Sequence, residues 1–147
     1  LENFIRILSG GQRPRIAVAG LNPHAGEAGT IGTEELTMVS PAVELLRAEG
    51  MADFFGPISP DTVFCRAVAG EFDGVVCLYH DQGLIPLKLH AFDSGVNVTW
   101  GLPFVRTSPD HGTAFELAGK TPSLARDGSM QEALRLAVRL AEARCAG

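Results

Sequence analysis

Two unbroken apolar runs constrain the fold of this chain more than any other feature of its sequence. Residues 15–20 (Arg-Ile-Ala-Val-Ala-Gly) and residues 75–79 (Val-Val-Cys-Leu-Tyr) are apolar at nearly every position rather than at every second one. A strand with this pattern is buried on both faces, which is typical of parallel sheets covered by helices on both sides. The sequence therefore predicts an α/β fold with a mainly parallel sheet and helices on both faces.

Helical periodicity and helix-start signals fill the segments between the strands. Ser59-Pro60-Asp61 and Ser129-Met-Gln-Glu132 are both typical of helix starts in which a serine hydroxyl caps the first turn. A loop is expected over residues 101–112, which hold two prolines. The predicted elements are helices at 1–8, 33–50, 59–70, 84–89 and 129–143, and strands at 15–20, 54–58, 75–79 and 96–100.

The composition is that of one globular domain. The chain has 147 residues, of which 46% are apolar and 20% charged, which is ordinary for such a domain. It begins with Leu1 inside an apolar helical pattern, so we expect that more chain precedes it. The three cysteines lie far apart without a C-x-x-C pair, which favours buried, reduced thiols in a cytoplasmic protein.

The charge balance argues against two broad classes of partner. Lys and Arg number 12 against 17 Asp and Glu, and the net charge of -5 leaves no extended basic surface for nucleic acid or an anionic membrane. No apolar run approaches the roughly 18 residues that span a bilayer. We therefore expect no nucleic-acid or membrane binding, and an anionic ligand must be held by a few local cations.

Two histidines follow predicted strands at the same edge of the sheet. His24 lies four residues past the first strand, and His80 directly follows the strand at 75–79. With Glu27 or Asp81 as a hydrogen-bonding neighbour, the two imidazoles could hold a divalent metal that still needs another ligand. A histidine in a loop is more often a hydrogen-bonded structural residue, so both interpretations stand on the residues alone.

Two cations and an amide are candidates for local anion binding. Lys88, Asn97 and Arg106 lie on neighbouring predicted elements, and the guanidinium and ammonium groups suit carboxylate or phosphate. Taken singly, Lys88 and Arg106 are as well explained as solvated surface charges. Asp61, in the first turn of its predicted helix, is more simply a residue that compensates the helix dipole than a catalytic base.

The glycines at 26, 29 and 32 offer backbone N–H groups ahead of a helix, an arrangement suited to anions. The sequence nevertheless contains neither the full G-x-x-x-x-G-K-[ST] phosphate loop nor a G-x-G-x-x-G after a strand. A dinucleotide would therefore have to bind outside the Rossmann pattern.

Taken together, five motifs resemble a known family. They are LNPHAGE at 21–27, GTEE at 32–35, DT at 61–62, YHDQG at 79–83 and GLPFVRTSPDHGTAFELAG at 101–119. Their order and spacing are similar to those of 4-hydroxythreonine-4-phosphate dehydrogenases, NAD-dependent enzymes of pyridoxal phosphate biosynthesis. The resemblance covers nearly the whole chain but only about the second half of the family's length.

The resemblance implies a role for each candidate residue. His24 and His80 fall on two of the three histidines that hold the family's divalent metal, and the third lies outside this chain. Lys88, Asn97 and Arg106 fall on substrate-binding positions. Asp61 and Asp81 fall on acids of the same site, for which we expect a catalytic role. The implied cofactors are NAD or NADP and a divalent metal, whether zinc, magnesium, manganese or cobalt.

The resemblance also implies an architecture. The family's fold is like that of isocitrate and isopropylmalate dehydrogenases, in which two α/β lobes enclose a cleft and the active enzyme is a homodimer. We expect residues 1–147 to form a single α/β unit from the C-terminal portion of such a protein. Residues 113–147 are expected to belong to the other lobe if the chain's end returns there.

The activity implied for the complete protein is oxidation of 4-phosphooxy-L-threonine by NAD or NADP, followed by decarboxylation to 3-amino-2-oxopropyl phosphate. This chain alone is expected to be inactive, because it lacks one metal ligand and one wall of the cleft. Two alternatives remain open. The chain could be a non-catalytic module for anion binding and dimerisation, or part of a sister dehydrogenase acting on phosphorylated threonate or erythronate.

Overall fold

The computed structural model describes residues 1–120 and 124–145. The chain forms two compact units, Leu1–Leu84 (unit 1) and Ile85–Gly147 (unit 2). The boundary between the two units lies after Leu84. That residues 113–147 belong to another lobe of a longer protein stays a prediction. Among the described residues, no helix is long and apolar enough to cross a membrane.

Unit 1 is built on a parallel sheet. Its strands are β1 (Arg15–Ala19), β2 (Asp53–Ile58) and β3 (Gly74–Val76), and their order is β2-β1-β3 with both pairings parallel. Because β1 is central, its side chains from Ile16 to Ala19 are buried on both faces. The unbroken apolar run at 15–20 thus forms the predicted kind of strand.

Helices cover both faces of this sheet, as predicted. They are α1 (Glu2–Leu8), a π-helical turn (Glu35–Val39) continued by α2 (Ser40–Glu49), and α3 (Val63–Val68), while α4 (His80–Ala91) begins at the carboxyl edge of the sheet. Alternate residues of β1 point to opposite faces. Ile16 and Val18 pack in one core with Ile5, Val43, Ala52 and Phe54, and Ala17 and Ala19 pack in a second core with Val63 and Phe72.

Unit 2 is an antiparallel ribbon packed on one helix. Strands β4 (Val96–Thr99) and β5 (Arg106–Pro109) pair antiparallel, and both contact α5 (Gly128–Cys145). The Thr107 hydroxyl donates a hydrogen bond of 2.9 Å to the carbonyl of Ala133 on that helix. The predicted loop at 101–112 is therefore partly wrong, because residues 106–109 pair with β4 despite their polar, proline-containing sequence.

The two predicted serine caps are wrong. After Ser59 the chain makes a turn, and α3 begins at Val63, because the Ser59 hydroxyl donates to the Asp61 carboxylate at 2.6 Å instead of capping a helix. Ser129 lies inside α5 and is buried. Its hydroxyl donates to the Gly95 carbonyl and accepts from the Asp110 amide, so it links the helix to the ribbon.

The strand predicted at 75–79 is shorter than expected. It ends at Val76, because the amide of Leu78 donates to the Gln82 side chain rather than to a neighbouring strand. His80 is consequently the first residue of α4 and does not directly follow the strand. The prediction of buried thiols is also wrong for Cys65 and Cys145, which are exposed, although all three cysteines are free.

Candidate active site

The segment that carries His24 is a turn of unusual handedness. It follows β1 and runs over Pro23–Gly29, and the five residues from His24 to Ala28 all have positive φ. Four of them are not glycine, and each such residue in a left-handed conformation costs about 1–2 kcal/mol. Strain of this size persists only where the surroundings enforce it, and it concentrates at functional sites.

The buried carboxylate of Glu35 lies against the start of this turn. Glu35 is 2% exposed and accepts hydrogen bonds from the Asn22 backbone amide at 2.7 Å and from Asn22 Nδ2 at 2.9 Å. Burial alone would raise the pKa of Glu35, but hydrogen bonds from Asn22, together with those from the backbone amides of Glu35 and Leu21, outweigh it and hold the pKa below its usual value. Glu35 is therefore a buried anion that amide N–H groups stabilise.

A glycine is required where the turn approaches this carboxylate. Gly26 has φ of 77°, and a Cβ atom there would lie 2.6 Å from Glu35 Oε2 and 2.8 Å from the Gly32 carbonyl. The second acid of the pair, Glu34, accepts from Asn22 Nδ2 at 2.7 Å. Its pKa is also lowered, by its own backbone amide first and then by Asn22.

His24 and Asp61 line one cavity at the carboxyl edge of the parallel sheet. The cavity has a volume of about 310 Å³, and its other lining residues are Leu21, Pro23, Pro60 and Tyr79. Three chain segments that follow β1, β2 and β3 therefore meet there, which is where ligands bind in open α/β sheets. The structure thus brings together two of the predicted site residues that were 37 positions apart in sequence.

A buried amide joins the segments that carry the two histidines. Gln82 is 6% exposed; its Nε2 donates to the Gly20 carbonyl at 2.7 Å, and its Oε1 accepts from the Leu78 amide at 2.7 Å. Gly20 opens the His24 segment, and Leu78 stands two residues before His80. One side chain therefore fixes the ends of β1 and β3 relative to each other.

His80 and Asp81 form an exposed pair at the start of α4. His80 Nδ1 lies 2.7 Å from Asp81 Oδ1, and the two side chains are 80% and 71% exposed. With the proton on Nδ1, the histidine donates to Asp81 and keeps Nε2 free to act as a ligand. This is the arrangement in which the carboxylate orients the imidazole.

The residues of unit 1 offer at most part of a donor set for a divalent metal. Among residues 1–120 and 124–145, no three His, Cys, Asp or Glu side chains lie close enough together to hold a metal ion. An imidazole and a carboxylate both line the cavity, and divalent cations accept both ligand types. The prediction that His24 and His80 are ligands already required another ligand from outside this chain, and it stays a prediction.

In unit 2, Asn97 and Arg106 lie on the same face of the ribbon. Asn97 pairs with Ser108 and Thr99 pairs with Arg106, so these four side chains share one face. Arg106 Nη1 donates to Thr99 Oγ1 at 2.7 Å, and both Asn97 and Arg106 are exposed. Thr107, on the opposite face, contacts α5, so the polar face points away from that helix.

Lys88 lies at the other end of β5. Its Nζ donates to the carbonyl of Asp110 at 3.1 Å and to Asp110 Oδ2 at 3.2 Å, and it lies 5.7 Å from the centre of the Phe92 ring. Asp110 directly follows β5, whereas Arg106 begins it. The two predicted anion-binding cations therefore belong to opposite ends of one strand, with Asn97 on the strand beside it.

A larger cavity, of about 580 Å³, lies within unit 2. Its wall combines apolar side chains such as Phe92 and Leu117 with the carboxylates of Asp93 and Glu116 and the imidazole of His111. Arg126 also lines it and pairs with Asp93 at 3.0 Å. A mostly apolar cavity with a few polar groups is typical of an organic ligand site.

Sequence reasoning missed Glu35 and Gln82 as determinants of the site. Both lie in motifs that were noted for their neighbours, GTEE and YHDQG. Their signal was a polar residue at a position that the fold buries, and burial of a single polar residue is not visible in a hydrophobic pattern. Only the tertiary structure brings each of them into contact with a segment next to a histidine.

Fold and site together define the class. A parallel sheet covered by helices, with imidazole and carboxylate at the carboxyl ends of its strands, is the framework of an α/β enzyme. The fold is similar to the crystal structure of 4-hydroxythreonine-4-phosphate dehydrogenase from Klebsiella pneumoniae, with a TM-score of 0.79 and 53% identity. The similarity covers 95% of this chain and 41% of that chain.

The sequence specifies the family. The profile of the pyridoxal phosphate biosynthetic protein PdxA matches residues 1–137, and the chain belongs to this family. It is 56% identical over 132 residues to the 4-hydroxythreonine-4-phosphate dehydrogenase of Bradyrhizobium diazoefficiens, covering 90% of this chain and 37% of that protein. It is 57% identical over 130 residues to the D-threonate 4-phosphate dehydrogenase of Pectobacterium atrosepticum, covering 87% of this chain and 38% of that one.

Proposed function

We propose that the complete protein oxidises 4-phosphooxy-L-threonine with NAD or NADP and that this chain is its C-terminal portion. The observation that carries the proposal is the cavity shared by His24 and Asp61, at the carboxyl edge of a sheet belonging to the PdxA family. The chain spans 37% of the Bradyrhizobium relative, whose name is that of this dehydrogenase. We therefore assign the activity to the complete protein and expect none from this chain alone.

The proposed reaction has two steps. The secondary alcohol gives its C–H hydrogen as hydride to the nicotinamide ring and its hydroxyl proton to a base, which yields a 3-oxo acid. The 3-oxo acid then loses its carboxyl group as CO2, and protonation of the resulting enolate gives 3-amino-2-oxopropyl phosphate. Asp61 is our candidate for the base, because its carboxylate lines the cavity.

His24 and His80 are our candidates for the metal ligands, completed by a ligand from the rest of the protein. A divalent metal bound there would supply Lewis-acid polarisation of the alcohol oxygen. Zinc, magnesium, manganese and cobalt all remain candidates, because two imidazoles do not define a coordination geometry. Asp81 would orient the His80 ring through the 2.7 Å contact with Nδ1.

Unit 2 supplies the proposed contacts with the substrate's anionic groups. The substrate carries a phosphate and a carboxylate, and Lys88 and Arg106 lie at opposite ends of β5. Arg106 can bind an oxyanion with two parallel N–H donors, while Lys88 acts as a compact charge. Asn97 would orient the substrate by donating or accepting a hydrogen bond.

We propose the 580 Å³ cavity of unit 2 as the binding site for part of the nicotinamide cofactor. Its apolar wall suits a flat heterocycle, and the carboxylates of Asp93 and Glu116 can accept hydrogen bonds from ribose hydroxyls. This placement agrees with the missing Rossmann glycine pattern, because the cavity does not depend on a glycine-rich turn.

A second candidate substrate is the phosphate ester of a sugar acid. The chain is 57% identical to the Pectobacterium D-threonate 4-phosphate dehydrogenase and 56% identical to the Bradyrhizobium enzyme. Sequence identity therefore does not separate the two activities. The two substrates differ in whether C2 bears an amino or a hydroxyl group. We therefore keep phosphorylated threonate, and with it erythronate, as the alternative.

For the complete protein we also propose a two-lobe architecture like that of isocitrate and isopropylmalate dehydrogenases, a homodimer, and a place in the cytoplasm. These proposals rest on the family membership of the chain. Light scattering of the complete protein would test the dimer, and a monomer would exclude it.

The function is tested by steady-state kinetics of the complete protein. Purified protein is supplied with metal and either NAD or NADP, and kcat/KM is measured for 4-phosphooxy-L-threonine and for D-threonate 4-phosphate. We expect reduction of the cofactor with CO2 release and a preference for the first substrate. A preference for the second selects the sister activity, and no turnover of either substrate excludes a dehydrogenase of this kind.

A further inference from the structure

We propose that Glu35 is a positioning residue for His24. Its buried carboxylate holds the left-handed turn in the one conformation that presents the imidazole to the cavity. The proposal rests on the proposed function in one respect, namely that His24 binds a divalent metal. Glu35 itself is not a ligand in this proposal, because both of its oxygens accept hydrogen bonds from Asn22.

The contacts of Glu35 cover the start and the middle of the turn. Asn22, which precedes the turn, is bound twice, through its backbone amide and through Nδ2. Gly26, in the middle of the turn, approaches so closely that a Cβ atom there would lie 2.6 Å from Glu35 Oε2. Gly20, at the end of β1, would place a Cβ atom 3.4 Å from Glu35 Oε1. The carboxylate is therefore the template around which residues 20–26 fold.

The turn needs such a template because its conformation is intrinsically unfavourable. His24, Ala25, Glu27 and Ala28 have φ between 42° and 54°, a region that L-residues avoid. Inside the turn, the backbone amides of Ala25, Thr30 and Ile31 donate to the carbonyls of Asn22, Glu27 and Gly26. Without the carboxylate, we expect these residues to relax toward right-handed conformations, which would move the His24 ring away from its place.

The neighbouring acid provides a matched comparison. Glu34 also accepts a hydrogen bond from Asn22 Nδ2, at 2.7 Å, but it is only partly buried and does not contact the Asn22 backbone amide. If any carboxylate near Asn22 sufficed, removal of either charge would have a similar effect. If the burial of the carboxylate matters, only removal of the Glu35 charge should disturb the turn.

The experiment compares Glu35→Gln with Glu34→Gln in the complete protein. Glutamine keeps the shape of the side chain but turns one acceptor into an NH2 group, which cannot accept from Asn22. Amide hydrogen exchange is measured without metal for Ala25, Thr30 and Ile31, and for the sheet amides of Asp53 and Asp73, which donate to β1 and its preceding residue. Calorimetry with Zn²⁺ and, separately, with inorganic phosphate measures the two kinds of site.

For Glu35→Gln we expect exchange of the three turn amides to rise at least tenfold, while the two sheet amides stay within twofold of wild type. The Kd for Zn²⁺ should rise at least tenfold and the Kd for phosphate should stay within twofold. Excess Zn²⁺ should restore most of kcat, because the His24 imidazole is still present in this variant. For Glu34→Gln, all of these quantities should stay within about twofold.

The proposal is overturned if the turn amides of Glu35→Gln exchange as in wild type, or if turn and sheet amides accelerate equally, as a purely structural role requires. Should Glu35→Gln fail to fold, Asn22→Ala is measured instead, because it removes one of the two hydrogen bonds that Glu35 accepts. Exchange of the turn amides and the Kd for Zn²⁺ must then rise about threefold while the sheet amides stay unchanged, or the proposal fails. Zn²⁺ binding that is identical in wild type and His24→Ala would instead refute the metal assignment of the proposed function, and the exchange data would still decide the role of Glu35.

Discussion

Unit 1 uses buried hydrogen bonds to fix the segments that precede His24 and His80, whereas unit 2 presents Asn97 and Arg106 on exposed surface. In unit 1, Glu35 and Gln82 are almost fully buried and hold the segments before His24 and His80. In unit 2, Asn97 and Arg106 stand exposed on one face of a two-stranded ribbon. The difference matches the two proposed roles, since metal ligation needs accurately placed donors and long cationic side chains can adapt to an anion.

The comparison is tested most severely at His24. In the complete protein, we expect His24→Ala to lower kcat by more than about 100-fold, because loss of even an indirect metal contact costs 10–100-fold. Zn²⁺ uptake measured by calorimetry should fall with it, while phosphate binding should be unchanged. His90→Ala, at an exposed position of α4, is the control and should retain both. Retained turnover in His24→Ala would remove the functional role from unit 1.

A second test addresses the buried amide. Gln82→Leu leaves the Leu78 amide and the Gly20 carbonyl without their partner, and each unsatisfied buried group costs about 1–3 kcal/mol. We expect the free energy of unfolding to fall by about 2–5 kcal/mol in urea denaturation. Gln131→Leu, which replaces an exposed amide on α5, should change it by less than about 0.5 kcal/mol. Equal effects would show that burial of the amide is not what matters.

A third test concerns unit 2 alone. We expect Arg106→Ala to raise KM for the phosphorylated substrate about 10- to 100-fold, since a charge-assisted hydrogen bond contributes about 1.5–3 kcal/mol. The Kd for Zn²⁺ should not change. Arg135→Ala removes an exposed α5 arginine paired with Glu132 and should leave KM within twofold. A parallel loss of metal binding in Arg106→Ala would contradict the proposal that unit 1 binds the metal and unit 2 binds the anionic groups of the substrate.

The smallest expected effect is an acid sensitivity of unit 1. Hydrogen bonds from the Arg15 side chain and backbone hold the pKa of Asp73 below its usual value. The folded pKa is thus lower than the unfolded one, so this contribution is fully present above the unfolded value of about 4. It is lost as the pH falls through the folded pKa. Asp73→Asn should flatten the decline of unfolding free energy below about pH 4, and an unchanged slope would contradict this.

Much of the framework was predictable from the sequence, because unbroken apolar runs determine which strands are buried. The central strand, its helical cover and the position of His24 beyond its end all followed from residues 15–24. The predicted serine caps failed because each hydroxyl has a partner that sequence does not reveal, Asp61 for Ser59 and Gly95 for Ser129. Strand β5 was missed because Arg106–Pro109 lacks apolar alternation and depends on pairing with β4.

Two candidates from the sequence, His24 and Asp61, line the same cavity, whereas the buried residues that hold the neighbouring segments were not predicted. A histidine beyond a strand end is visible in sequence, and the structure places it in the same cavity as Asp61. The template acid and the linking amide were invisible, because an isolated Glu or Gln is normally exposed. Which polar residues become buried depends on the tertiary approach of Gly20, Gly26 and Leu78, and no local pattern encodes that approach.

The reversed handedness of residues 24–28 restricts which amino acids can replace them. Ala25 and Ala28 have positive φ, so their methyl groups already lie close to the backbone. A β-branched side chain such as valine would collide with the backbone there. A D-alanine introduced by chemical synthesis would relieve the strain and should stiffen the loop. Chirality, more than size or polarity, thus governs what this segment tolerates.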